Sequence, residues 1–144
     1  MKETATIITH RKLENGMELF LYDRSRLMAK DRWLIEILCK AFIPLDEKLW
    51  DGLTAEDLKQ ESVIRKMLGD RLIFSSSNKR VFVDDRQKEA VLQEMTRQMS
   101  TTILAYINRP EFPEQLFRKK VRDARRQLMI QEAMNQAQRR LAEE

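Results

Sequence analysis

RWLIEILCKAFIPL, residues 32–45, is the stretch of the chain that decides the fold. From Trp33 to Ile43 every second residue is apolar, and a period of two is that of a strand with one buried face. On the other face, Glu36 and Lys40 interrupt the apolar residues. A helix is the alternative, but the isoleucines, the aromatic residues and the proline that follows favour a strand. We therefore predict a long strand in a sheet that is buried mainly on one side.

The residues before this strand predict a β-hairpin. TATIITHRKL (4–13) and MELFLYD (17–23) are rich in β-branched and aromatic residues. They flank ENG (14–16), a turn signal in which the glycine can adopt a positive φ. Together with the strand at 32–45, the hairpin makes a three-stranded meander.

Two registers are open for this hairpin. A three-residue loop with a bulge at Gly16 pairs Lys12 with Glu18 and Ile8 with Tyr22. A two-residue Asn-Gly turn places Lys12 opposite a leucine instead. We favour the first register, because opposite charges that face each other across two strands stabilise the pair.

The rest of the chain alternates turn signals with amphipathic segments. We predict a helix over about 54–68, which Thr54 and Asp57 cap and Gly69 ends. A second hairpin follows, with strands at 72–74 and 81–83. After it we predict a helix over about 86–107 and a final helix that begins at Pro113 or Glu114. The predicted fold is α+β, an antiparallel sheet (the N-terminal three-stranded meander plus the second hairpin) packed against helices, with a long C-terminal helix. We divide it into an α+β domain at 1–112 and the C-terminal helix at 113–144.

The final helix carries two apolar stripes that face different ways. The first consists of Phe117, Val121, Ala124 and Leu128, and the second of Ile130, Met134, Ala137 and Leu141. At 100° per residue the second stripe lies about 220° round the helix from the first. Either the helix bends near 128–130, or its two halves contact different surfaces, and no glycine or proline is present there to cause a bend. We predict that the first half docks on the domain and the second half extends to a protein partner, with a homodimer favoured.

One face of the same helix is basic. Its residues are Arg118, Lys119, Arg122, Arg125 and Arg126, and they share an arc of about 120° opposite the first stripe. A basic face of this kind is a candidate nucleic-acid contact through phosphate. No aromatic residue lies between the arginines, so stacking on single-stranded bases is not indicated. The alternative is that the arc pairs with acidic residues of a second subunit.

A second basic group lies in the connection before the long strand. It consists of Arg24, Arg26, Lys30 and Arg32, with Asp23 and Asp31 among them. As a loop on a rigid scaffold, it is a candidate recognition loop for an anion or a partner. The favoured alternative is a solvated loop in which aspartates and arginines pair locally.

The sequence offers no assembled catalytic, cofactor or metal site. His10 is the only histidine and Cys39 the only cysteine, so a multi-histidine metal site and an intramolecular disulfide are excluded. Neither GxxxxGK[ST] nor GxGxxG is present, which leaves no phosphate-cradling loop and no cofactor to expect. Among 23 acidic residues no carboxylate pair stands out. We predict that the chain is not an enzyme.

Composition sets the expected class and compartment. The chain is 35% charged and 42% hydrophobic, as in a globular protein with a charged surface. A lone cysteine fits a reducing compartment, and neither a secretory signal nor a stretch of ~18 apolar residues is seen, so we expect a cytoplasmic protein and no membrane. The expected function is that of a small non-enzymatic interaction or adaptor module that self-associates through its C-terminal helix. Nucleic-acid binding through residues 118–126 is the alternative.

Overall fold

An antiparallel sheet and a long C-terminal helix dominate the structure, a computed structural model that describes residues 5–54 and 59–143. Within these ranges the strands are β1 (Thr6–Lys12), β2 (Glu18–Asp23), β3 (Arg26–Ala29), β4 (Arg32–Pro44) and β5 (Arg71–Asp84). The helices there are α1 (Glu47–Asp51), α2 (Glu61–Leu68), α3 (Lys88–Ile107) and α4 (Phe112–Glu143). The predicted α+β class, with an antiparallel sheet and a long last helix, is confirmed.

The central strand β4 shows why a period of two predicted it correctly. Ile35, Ile37, Cys39 and Ala41 lie on one face and are fully buried. On the other face Leu38, Lys40 and Phe42 are only half-buried, whereas Glu36 is buried. The apolar face of this strand therefore supplies one continuous row of the core, as the alternation of the sequence requires.

The hairpin register is confirmed at the loop and shifted at the far end. Lys12 pairs with Glu18, and the loop between them closes with Gly16 at a φ of 93°. Further along, Tyr22 pairs with Ile7 and not, as predicted, with Ile8. The reason is a β-bulge between Ile7 and Thr9, which inserts one extra residue into β1.

Strands β2 and β3 lie end to end along the same edge of β4. Tyr22 pairs with Leu38 and Arg26 with Leu34, which is one continuous register. Between the two strands the backbone N–H of Arg24 still donates to the carbonyl of Glu36 at 2.9 Å. In the meander, β1 pairs with β2, and β2 and β3 together pair with β4. Strand β5 also pairs with β4.

The predicted second hairpin at 72–74 and 81–83 is wrong, because β5 is one strand over Arg71–Asp84. It runs antiparallel to β4, because the N–H of Leu45 donates to the carbonyl of Asp70 at 3.0 Å at one end of the pair. At the other end the N–H of Asp85 donates to the carbonyl of Asp31 at 2.8 Å. The segment SSSNK contains no glycine or proline to reverse the chain. Continued pairing along the long edge of β4 satisfies its backbone groups without a turn.

The chain divides into two compact units. The first consists of Met1–Ile43 with Ile73–Pro113 and contains most of the sheet and α3. In this unit the side-chain amide of Asn15 donates to the carbonyls of Ile107 and Arg109, at 2.6 and 2.9 Å. The hairpin loop thus hydrogen-bonds the last carbonyl of α3 and a carbonyl just beyond it, and the latter also accepts from the N–H of Phe112. The sequence did not predict this contact.

The second unit consists of Pro44–Leu72 with Glu114–Glu144. It contains α1, a short helix that the sequence did not predict, in which Trp50 is buried and packs edge-to-face on Phe117 with ring centroids 5.0 Å apart. The guanidinium of Arg65 lies 4.5 Å from the centroid of the Trp50 ring. It also forms two hydrogen bonds with Glu47, at 2.9 and 3.0 Å, which lower the pKa of that carboxyl.

Helix α2 is only partly the helix that the sequence predicted. The helix begins at Glu61 and not at about residue 54 as predicted, because Lys59 and Gln60 form a turn and Gln60 is the N-cap. The chain leaves the helix at Gly69 as expected, with a φ of 75°. The predicted capping box of Thr54 and Asp57 lies partly outside the described residues. Whether that pair caps a helix stays a prediction.

Candidate partner interface on the last helix

The first half of α4 buries the first predicted stripe. Phe117, Val121 and Ala124 are buried, and Leu128 is half-buried. Within the second unit, the ring of Trp50 covers Phe117. This face of the helix is therefore part of a hydrophobic core, as its 4-3-4 spacing predicted. Docking on a domain at 1–112 stays a prediction.

The second half of α4 is different, because every residue from Met129 to Glu143 is exposed. Ile130 is 55% exposed, Met134 53% and Leu141 72%. The structure places both stripes on one helix, Phe112–Glu143. The predicted interface residues are thus brought together as an apolar row that no other part of the described chain buries.

This row has the geometry of a coiled-coil seam. Ile130, Met134, Ala137 and Leu141 lie within an arc of about 60° and follow the spacing 4-3-4. That spacing corresponds to successive d, a, d and a positions of a heptad repeat. We call these four residues the tail seam.

The residues beside the tail seam are mostly uncharged. Gln131 and Gln138 occupy the e positions, and Ala133 and Arg140 the g positions. The amide of Gln131 donates to Asn135 at 3.3 Å along the helix surface. A second helix could therefore approach the seam without burying an acidic side chain.

The basic arc of the first half is also assembled on α4. Arg118, Lys119, Arg122 and Arg126 are exposed and Arg125 is half-buried. Arg118 forms an ion pair with Glu114, one turn earlier, at 2.6 Å. Arg118, Arg122 and Arg125 also line a cleft of about 240 Å³ in the second unit, together with apolar residues that include Leu49 and Phe117.

The candidate recognition loop is held by ion pairs within the chain. Arg24 and Arg26 approach one oxygen of Glu36, with N–O distances of 3.7 and 3.3 Å. Arg32 pairs with Asp84 at 2.9 Å. Lys30 lies in the turn between β3 and β4, with a φ of 51°. The structure thus places these residues on β3, at the start of β4 and in the adjoining connections. Three of them form ion pairs with carboxylates of β4 and β5, whereas the alternative predicted pairs with the nearby aspartates.

The remaining chemically interesting residues have structural surroundings. The ring of His10 stacks on Phe20, with centroids 4.3 Å apart, and its Nε2 lies 2.6 Å from Glu18. Cys39 is buried, and burial raises the pKa of its thiol to about 11, which disfavours the reactive thiolate. Across residues 5–54 and 59–143, no group of three His, Cys, Asp or Glu side chains is placed to hold a metal ion.

The sequence did not predict a second set of exposed apolar side chains. They are Leu27, Met28, Val81 and Phe82. Phe82 is 69% exposed and has a φ of 56°, a backbone conformation that is strained for an aromatic residue. No local signal in the sequence predicts this conformation, which occurs within β5.

In the part of the chain that the structure describes, no helix combines the length and the apolar character that a membrane span requires. Comparison of the chain with models of known protein families, with curated proteins and with solved structures finds no match.

Proposed function

We propose that this chain is a non-enzymatic interaction module that self-associates through the tail seam. One observation carries the proposal: α4 continues from Met129 to Glu143 with every residue exposed, yet it keeps an apolar row along one face. Polar residues would suffice for a helix that remained in water. An apolar row on an exposed helix supports a role as an interface with another helix.

The seam supports a reversible dimer. Transfer of apolar surface out of water contributes about 25 cal/mol per Å². Only three of the four seam residues carry large side chains, and two of these, Ile130 and Met134, are already about half shielded by their own helix, so the gain per copy is modest. We therefore expect a dissociation constant in roughly the micromolar range.

We expect the double variant Ile130→Glu with Leu141→Glu to be monomeric at concentrations where the unaltered chain is dimeric. Two carboxylates in the seam would have to be buried without partners, which is strongly unfavourable. The measurement is the solution mass by light scattering at low and high salt. Because the seam is apolar, the dimer should persist at high salt.

The matched control is Asn135→Glu with Gln136→Glu, which adds the same charge on the opposite face of the tail. This variant should dimerise like the unaltered chain. All four substituted residues are exposed, so far-UV circular dichroism should report a folded protein in each case. A chain that is monomeric throughout, or a seam variant that dimerises normally, would contradict the proposal.

The alternative function is nucleic-acid binding by the basic arc, and the exposure of four of its five side chains on one helix supports it. If each of the five met one phosphate, log K would fall with log salt at a slope of about −4.5. Charge reversal at Arg122 and Arg126 should then abolish binding of a labelled oligonucleotide. Arg11→Glu with Arg80→Glu is the control, with an equal charge change at two exposed positions outside α4. If both variants lost affinity for the oligonucleotide equally, or if the binding constant did not change with salt concentration, a specific role for the arc would be contradicted.

A further inference from the structure

We propose that the two copies of α4 pair antiparallel, with Ile130 against the partner's Leu141 and Met134 against the partner's Ala137. This inference rests on the proposed self-association and adds its geometry. In an antiparallel pair the a positions of one helix meet the d positions of the other, and the order d-a-d-a of the tail seam makes it complementary to itself.

Side-chain volumes favour this arrangement. In a parallel pair each residue meets its own copy, so Ala137 would face the partner's Ala137 between two bulky layers and leave a void. In the antiparallel pair Ala137 receives the long, flexible side chain of the partner's Met134. The volumes of the four layers are then more even than in the parallel pair, because no layer consists of two alanines.

The residues beside the seam also suit the antiparallel pair. Antiparallel helices bring e positions against e positions, so that Gln131 lies beside the partner's Gln138. Their amides are complementary donors and acceptors. On the other side the g positions bring Ala133 to the partner's Arg140, whose aliphatic stem can cover a small apolar residue.

The basic arc supplies a third reason. In a parallel pair the two copies of Arg126 would lie at the same level of the dimer, next to each other. In the antiparallel pair they are separated by about 28 Å along the axis, at 1.5 Å per residue. That separation is well beyond the Debye length of ~8 Å at physiological salt, so the repulsion between the two arcs is screened.

Disulfide formation between two single variants, Ile130→Cys and Leu141→Cys, tests the orientation. One variant carries a tag that changes its mass, and the two are mixed in equal amounts and oxidised mildly. A disulfide requires Cα atoms within about 7 Å. In the antiparallel pair position 130 is about 16 Å from the partner's position 130 along the axis, so only the mixed disulfide can form.

The expected result is a mixed covalent dimer in at least roughly tenfold excess over either homodimer. The native Cys39 is fully buried and does not compete. Homodimers of each variant, with little mixed product, would overturn the antiparallel orientation and leave self-association standing. Dimers by light scattering without any disulfide would place the interface elsewhere and overturn the inference. A monomer by light scattering would overturn the proposed function itself.

Discussion

Replacement of Phe117 by alanine is expected to lower the free energy of unfolding by about 3–5 kcal/mol. The side chain is 1% exposed, and Trp50 packs on it edge-to-face. Arg65 lies over the same Trp50 ring and is held by Glu47, so the surroundings have little freedom to collapse into the space. The loss combines the buried area of a phenyl ring with the aromatic contact and the cavity left behind. Urea unfolding followed by circular dichroism measures it.

Two control variants separate this effect from a general weakness of the helix. Phe117→Leu keeps most of the apolar volume and should cost about 1–2 kcal/mol. Met129→Ala lies three turns further along α4 at an exposed position and should change the stability by no more than about 0.5 kcal/mol. A Phe117→Ala variant that loses less than about 1 kcal/mol would mean that the contact between Phe117 and Trp50 is not part of the folded core.

The second large effect is expected at Glu36. Its side chain is 5% exposed, and three cations converge on it, with Arg24 at 3.7 Å, Arg26 at 3.3 Å and Lys79 at 3.3 Å. Glu36→Gln keeps the shape of the side chain and removes the charge, so that three cations are left close together without their anion. Breaking a buried ion pair costs about 3–5 kcal/mol.

We expect a loss of about 2–3 kcal/mol for Glu36→Gln, below that range, because water can solvate the cations once the anion is gone. They are 32%, 45% and 55% exposed. The measurement is urea unfolding at low and high salt, and high salt should recover part of the loss by screening the repulsion. The matched control is Glu94→Gln, whose exposed partner is Arg97, and its effect should be much smaller. Equal effects at the two sites would show that Glu36 does not hold the cluster together.

The sequence predicted the parts of the fold that have a local cause. The alternation in β4 follows from its one buried face, and the pairing of Lys12 with Glu18 follows from the loop type and the charges. The extra residue between Ile7 and Thr9 has no such cause, because a bulge depends on how the whole edge strand pairs. Helix α1 was missed because Glu47–Asp51 is too short to show a helical period.

Long-range pairing explains the other differences. The run of serines in β5 is polar and favours a loop locally, but β4 offers it a partner strand about 40 residues earlier in the chain. The ion pair between Lys79 and Glu36 depends on that pairing and could not be foreseen. The sequence predicts a recognition loop at Arg24 and Arg26, whereas in the structure both arginines pair with Glu36 of the neighbouring strand.

The tail seam was predictable because only helical geometry was needed. Two stripes about 220° apart on one helix cannot both face the same surface. The structure buries Phe117 and exposes Ile130 and Leu141, in agreement with that geometry. The identity of the molecule that binds the exposed row cannot be predicted from this sequence, because the periodicity of a helix shows which face is apolar and not what binds to it.

Because α4 is continuous, its exposed half can form by extension of the helix from the buried half. An isolated helix of about 15 residues is marginal in water, because formation of the first turn is unfavourable. Here the buried half supplies that nucleus, and the segment from Met129 to Glu143 has only to extend it. A helix extended from one end frays at the other, so Leu141 is ordered less firmly than Ile130. In an antiparallel pair each fraying end lies against the firm end of the other copy. Association would then complete the helix, and the order of the tail would rise with protein concentration.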